Sequence, residues 1–296
     1  MKKHLHYILL PAVIFIISCN NNEQKQQFKT GSIKAGNLQV YYERTGKGDA
    51  ILFLHAGLQD HTMWAEQVKA LSAQYEVITI DLPYHGKTMG TDTTLLVADM
   101  IKILLDSLQL QKVSVAGLSM GGSVAQDFII AYPERVNKAI LISAGINGYE
   151  KTHAMDSIST NWWQAFRQAL NDKDTIQAAI EFTKAWAEGP YRNDKLQAPV
   201  SKNIYSKTLE NLTLHKMEGW PLLQDHPPAI EKISSIKVPV LIIDGDKDMP
   251  YITANAVFME KNIPGAKRVL MKDVAHMLNI ERPDELNKLI MDFLKQ

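Results

Sequence analysis

Apolar runs at Ala50–Leu54, Glu76–Ile80, Lys112–Gly117 and Lys138–Ser143 punctuate the first half of the chain, and helical patterns separate them. In Thr93–Leu108, for example, Leu95, Leu96, Met100, Ile103 and Leu104 recur at helical spacing. Near-continuous apolar strands alternating with helices predict an α/β architecture, a mostly parallel sheet covered on both faces. Ahead of it, Ser32–Lys34 and Leu38–Arg44 alternate polar and apolar residues around Ala35-Gly36-Asn37, the pattern of an antiparallel hairpin. The alternation stops at about Ala144, and the chain is mainly helical from there to about Ile236. Strand pattern returns at Val238–Asp244 and Lys267–Met271, and Pro283–Lys295 closes with a helix. An insertion between two strands of one sheet sits over their carboxyl ends. Residues 145–236 are therefore read as a helical cap on a core of 31–144 and 237–296, with an independent second domain as the alternative.

The run Val113-Ser114-Val115-Ala116-Gly117-Leu118-Ser119-Met120-Gly121-Gly122 breaks from apolar strand into Gly-x-Ser-x-Gly, and small residues then open a helix at Ser123-Val124-Ala125-Gln126. This is the nucleophile elbow, in which one serine sits on a tight turn between strand and helix. Side chains at 117 and 121 would collide with the neighbouring strand and helix. The serine hydroxyl stands at the top of the sheet, near the positive end of the helix.

Four further motifs sit at strand ends. Ile51-Leu52-Phe53-Leu54 runs into His55-Ala56-Gly57, and Val77–Ile80 into the Asp-led turn Asp81–Thr88. Val240–Ile243 runs into Asp244-Gly245-Asp246-Lys247-Asp248, and Val269–Met271 is followed by His276. Nucleophile, acid and base thus follow in the order Ser…Asp…His. Over roughly residues 32–294 the chain resembles the α/β-hydrolase superfamily.

That resemblance implies a catalytic set. Ser119 is the nucleophile, and a serine hydroxyl needs a positioned base. His276 is that base, because Ala275-His276-Met277-Leu278-Asn279-Ile280-Glu281-Arg282-Pro283 resembles the family's histidine segment. Among the nine histidines, His153, His215 and His226 fall in the cap, and His61 and His85 in loops without that context. The family places the acid at the end of Gly-x-x-Asp, which maps to Asp248, with Asp246 second and expected to point to solvent. The oxyanion donors map to the N–H of Met120 and of Gly57; Ala56 replaces the commoner glycine and leaves Leu58 as an alternative donor. His55 and the Asp81–Thr88 turn are read as shaping loops. Trp162, Trp163, Trp186, Trp220, Phe166, Tyr191 and Tyr205 fall in the cap. They are read chiefly as its own core, with a pocket wall above Ser119 as the alternative. Trp186-Ala187-Glu188-Gly189-Pro190 resembles a cap feature of small-substrate relatives.

Composition narrows the partners. Of 296 residues, 46% are hydrophobic and 22% charged, enough for a substantial core, and the formal net charge of +0 argues against nucleic acid. No metal-ligand spacing or phosphate loop is present, so neither metal nor cofactor is expected, and no protein partner is evident. Residues 1–19 have a basic start (Lys2, Lys3), an apolar stretch Tyr7–Ile17 and the tetrad Ile16-Ile17-Ser18-Cys19. They read as a secretory signal peptide with a bacterial lipobox, Cys19 being the lipidation site. The polar stretch 20–30 then acts as a tether and places the protein in the cell envelope, at the periplasmic or outer face. An uncleaved anchor is the alternative.

The resulting expectation is a serine hydrolase acting on a small ester or related carbonyl compound. C–C bond hydrolysis, lactone opening, thioester cleavage and perhydrolysis stay open on the same scaffold. A non-catalytic ligand-binding or receptor protein is the rival from another class, and an intact Ser119–Asp248–His276 set weighs against it.

Overall fold

A computed structural model of the chain describes residues 28–192, 198–215 and 227–296. The export motif with Cys19, most of the polar tether, Trp220 and His226 lie outside the described residues. Eight strands form one sheet: β1 (Lys29–Ala35), β2 (Leu38–Gly46), β3 (Ala50–Leu54), β4 (Glu76–Ile80), β5 (Val113–Leu118), β6 (Val136–Ile142), β7 (Val240–Gly245) and β8 (Lys267–Met271). Their spatial order is β1-β2-β4-β3-β5-β6-β7-β8. β2 pairs antiparallel with β1 and with β4, and every later pairing is parallel. The β1–β2 hairpin turns at Gly36-Asn37, where Gly36 has φ +56, and β1 takes Lys29 and Thr30 at the end of the 20–30 stretch into the sheet.

The central strands β3, β5 and β7 are buried along their whole length, which explains their unbroken apolar sequence. Alternate side chains serve opposite faces. Leu52, Leu54, Ile78, Ile80 and Val115 join one core cluster; Ile51, Phe53, Val77, Ala116 and Leu118 join the other. The helices outside the cap are α1 (Ala65–Leu71), α2 (Val97–Ser107), α3 (Met120–Ala131) and, after the cap helices, α9 to α11. The cap carries α4 (Tyr149–Thr152), α5 (Ser157–Asn171), α6 (Thr175–Thr183), α7 (Ala198–His215) and α8 (Ala229–Lys232). The chain then continues through α9 (Pro250–Asn262), α10 (Leu278–Glu281) and α11 (Pro283–Leu294). Helices α2, α3 and α9 cover the first cluster, and α1, α10 and α11 the second, which extends into α5 and α6 of the cap.

One helix starts later than its pattern predicts. Apolar spacing places the start at Thr93, yet α2 begins at Val97. The Asp92 carboxylate accepts hydrogen bonds from the Thr94 and Leu95 N–H groups (2.9 and 3.0 Å) and holds the intervening residues in a turn. The same side chain accepts the Asn37 N–H at 3.0 Å, so the turn also braces the hairpin.

Candidate active site

Ser119 occupies the junction between β5 and α3 with φ 56° and ψ −114°, a region that disfavours a residue bearing Cβ. Holding it there costs on the order of 1–3 kcal/mol and is sustained by its surroundings. The Ser119 N–H donates to Ile142 O of β6 at 2.9 Å, and its carbonyl accepts from the N–H groups of Ser123 (3.1 Å) and Gly145 (3.3 Å). The flanking glycines are there for space. A Cβ on Gly117 would lie 2.2 Å from Gly121 O, and one on Gly121 would lie 2.1 Å from Leu54 O.

Asp248 and His276 come from the loops after β7 and β8. The buried His276 imidazole turns Nδ1 toward both Asp248 carboxylate oxygens, at 3.0 and 2.9 Å. That partner assigns the proton to Nδ1 and leaves a bare lone pair on Nε2. Nε2 is buried and has no hydrogen-bond partner among the described residues. Asp248 is itself buried and accepts the Met249 N–H at 2.7 Å. Its neighbours are occupied elsewhere. Asp244 is held by Arg268 in a two-pronged pair (2.8 and 2.6 Å), and burial pushes its carboxyl above the usual range. Asp246, expected to point to solvent, is half-buried and accepts the Asp273 N–H at 2.8 Å. It shapes the turn before His276.

Ser119, Met120, Gly57 and His276 all line one cavity of about 800 Å³ between the strand ends and the cap. The cap contributes Trp162, Trp163, Phe166, Phe182 and Trp186 to its wall, beside polar and charged residues that include Asn147, Glu150, Gln164 and Arg167. These cap aromatics therefore serve both readings, as cap core and as cavity lining. Tyr191, by contrast, is exposed.

The β3 loop that carries Gly57 is gripped from the cap by residues that sequence patterns do not reveal. Leu58, at φ 55°, is buried and lines the cavity beside Gly57. Its carbonyl accepts from Gln59 Nε2 (3.0 Å) and from Asn211 Nδ2 of α7 (3.3 Å). Gln59 Nε2 also donates to Thr208 Oγ1 at 3.1 Å. Asn211 Oδ1 accepts the Gly86 N–H at 2.8 Å, so one amide bridges the loops after β3 and β4. Lys207 adds an ion pair to Asp60 at 2.9 Å. Thr208 and Asn211 are buried polar residues at i, i+3 on one helix; that spacing was the only signal in the sequence.

The other buried histidines are committed to structure. His55 Nε2 accepts the Leu82 N–H at 2.9 Å while Nδ1 faces Ala56 O at 2.7 Å, and burial lowers its pKa. Burial, with His55 nearby, pushes His85 down to about 3. His61 lies between Asp81 (2.8 Å) and Glu43 (3.2 Å). Carboxylate oxygens of Asp60 and Asp81 approach His61 closely enough to suggest a cation site. Hydrogen bonds already engage these groups: Asp81 with His61 and the Lys87 N–H, Asp60 with Thr62 and Lys207.

Residues 49–283 match the family described as alpha/beta hydrolase fold. The chain is 27% identical over 265 residues to 3-oxoadipate enol-lactonase 1 of Acinetobacter baylyi, covering 87% of this chain and 93% of the relative. It is 25% identical over 284 residues to 2-hydroxy-6-oxo-6-phenylhexa-2,4-dienoate hydrolase of Comamonas testosteroni, covering 87% and 91%. Among solved structures it is similar to the carboxylesterase CesB of Bacillus subtilis, with a TM-score of 0.72, 22% identity, and 90% and 92% coverage of the two chains. A strand–serine–helix elbow, a buried Asp–His pair and a shared cavity are thus found on a chain that belongs to the alpha/beta hydrolase family and is a hydrolase.

Proposed function

We propose that the protein is a serine hydrolase that opens a small ester or related carbonyl substrate through an acyl-Ser119 intermediate. The observation that carries this reading is the bare, buried Nε2 of His276, which lines the same cavity as Ser119 while Nδ1 is fixed by Asp248. Ser119 Oγ bonds to the substrate carbonyl carbon as its proton passes to His276 Nε2, and the carbonyl π pair moves onto oxygen. The N–H groups of Met120 and Gly57 receive that oxyanion, already oriented by the elbow and the braced β3 loop. Collapse of the intermediate expels the leaving group, which takes the proton back from His276. Water then repeats the sequence on the acyl-enzyme and frees Ser119. The relatives include a lactonase and a C–C hydrolase, so lactones and cleavable diketones stand beside esters as substrates of the same machinery.

A fluorophosphonate probe tests the assignment. Intact-mass analysis of the native protein shows a single adduct, and Ser119→Ala shows none. Adduct formation at another serine overturns the reading.

The amino terminus supports a second proposal, on its sequence alone. Lys2, Lys3, the apolar Tyr7–Ile17 and the tetrad ending at Cys19 direct export, cleavage before Cys19 and lipidation of its thiol. The hydrolase then works at the cell envelope, held by several acyl chains. Cys19→Ala expressed in a bacterial host releases soluble protein or stays unprocessed. Unchanged mass and membrane retention favour a plain signal anchor.

A further inference from the structure

The cap segment from Lys184 to Arg192 does more than roof the cavity. Lys184–Glu188 forms a π-helical turn after α6, a geometry that inserts an extra residue and re-aims the side chains around it. The turn aims Trp186 inward. Its ring centroid lies 4.3 Å from that of His276, with the planes tilted by 46°. Trp186 is in turn wedged by Trp162, whose ring meets it edge-on at 4.8 Å, and Trp162 is anchored by its Nε1–H to Glu181 O at 2.8 Å.

The same segment is seated on both loops of the acid–base pair. Gly189 has φ +76, and a Cβ there would lie 2.4 Å from Lys247 O and 2.9 Å from Ala275 Cβ. Only glycine lets the cap approach the residues that precede Asp248 and His276 this closely. Arg192 pairs with Glu281, whose other oxygen accepts the Ala275 N–H at 3.2 Å. A largely shielded ion pair therefore ties the cap to the residue just before His276.

We propose that Trp186 is a fourth member of the catalytic machinery, its indole face stabilising the His276 imidazolium that forms whenever Nε2 takes a proton from Ser119 or from water. This rests on the reading of His276 as the base. An imidazolium within about 6 Å of an indole centroid is attracted by the ring's negative face, most strongly where water is excluded. Both rings are buried here, at 8% and 1% exposure. Neutral imidazole gains little from the same contact. The interaction thus strengthens as charge develops, which is the condition for lowering a barrier rather than tightening ground-state binding. The negative Asp248 on one edge and the indole on one face then share the stabilisation of a single transient cation.

Phosphonylation of Ser119 by an alkyl fluorophosphonate measures this step with no assumption about substrate. The Oγ–P bond forms, fluoride leaves, and the serine proton passes to His276. Fluorotryptophans incorporated at position 186 alone withdraw charge from the indole face at nearly constant shape. The maximal labelling rate is expected to fall stepwise with fluorine number, to about 2- to 30-fold below native for the tetrafluoro ring, with the half-saturating probe concentration and Tm unchanged. Trp186→Phe falls between the native protein and Trp186→Leu. A native rate with the tetrafluoro ring, or equal rates for Phe and Leu, overturns the proposal. Failure of the underlying reading shows separately, as an adduct that persists in Ser119→Ala, and the proposal then falls with it.

Discussion

Two buried aspartate–histidine pairs stand among the described residues, and only one of them faces the cavity. His276 sets Nδ1 2.9 Å from Asp248, and His61 sets Nδ1 2.8 Å from Asp81. Both histidines are almost wholly excluded from solvent. The difference lies at the second nitrogen. His61 Nε2 meets Glu43 at 3.2 Å, so a carboxylate stands at each end of the ring. Burial opposes charge on His61, yet the hydrogen bond and charge of Asp81, with Glu43 and Asp60, raise its pKa above the ordinary histidine value. The result is a ring biased toward its charged form and held between β2 and the turn after β4. His276 has one carboxylate and one free nitrogen in a cavity that also holds a serine. Pairing a histidine with an aspartate fixes the imidazole; leaving its other nitrogen unspent fits the role proposed for His276.

The sharpest way to break that comparison is to remove each ring. His276→Gln should lower turnover by about 10⁴-fold or more while the protein stays folded, because no group remains to take the serine proton. His61→Gln should leave turnover per folded molecule within about tenfold and lower the resistance to urea instead. Activity assays beside denaturation curves separate the two. Equal losses of turnover would mean that both pairs serve the chemistry.

The carboxylates give a smaller contrast. Asp248→Asn should cost on the order of 10³- to 10⁴-fold in kcat, since the amide favours the wrong tautomer of His276 and leaves its cation uncompensated. Asp246→Asn keeps an oxygen to accept the Asp273 N–H, loses the charge facing Lys272 at 3.7 Å, and should cost less than about tenfold. A dead Asp246→Asn with a working Asp248→Asn would reverse the assignment.

Most of the sheet and the serine elbow were legible in the sequence because their determinants are local. β3, β4 and β8 occupy the predicted ranges, since each run of strand-forming residues stops at a polar one, His55, Asp81 or Lys272. Ser119 stands out through its flanking glycines, and His276 through the segment around it. Two arrangements, one at the site and one outside it, have no local signature. Asn211 reaches Leu58 across 153 residues, and an asparagine inside a helical pattern carries no mark of the loop it will hold. His61 reads as a loop histidine because its meaning depends on Asp81, 20 residues on, and on Glu43 in β2. Trp186 falls between these cases. Its aromatic character marks it as core, but which ring it covers depends on the π-helical turn and the seat of Gly189.

The smallest effect is thermodynamic and sharpens the comparison from the other side. A raised folded-state pKa on His61 means that the native protein holds a proton that the unfolded chain releases at about pH 6.5. Its contribution to stability is fully present below about pH 6.5 and is lost as the pH rises through the folded value. Asp81 runs the opposite way. Burial opposes its charge, but His61, His55 and the Lys87 N–H lower its pKa, so its contribution is present above about pH 4 and lost as acid reaches the folded value. The difference in unfolding free energy between the native protein and His61→Gln should therefore be greatest between about pH 4 and pH 6.5 and shrink steadily toward pH 9. Urea titrations at pH 5.5, 7 and 9 measure it, and taking the difference cancels groups that titrate alike in both proteins. A gap that stays constant or widens with pH would show that His61 is held as a neutral ring, and its contrast with His276 would then rest on the cavity alone.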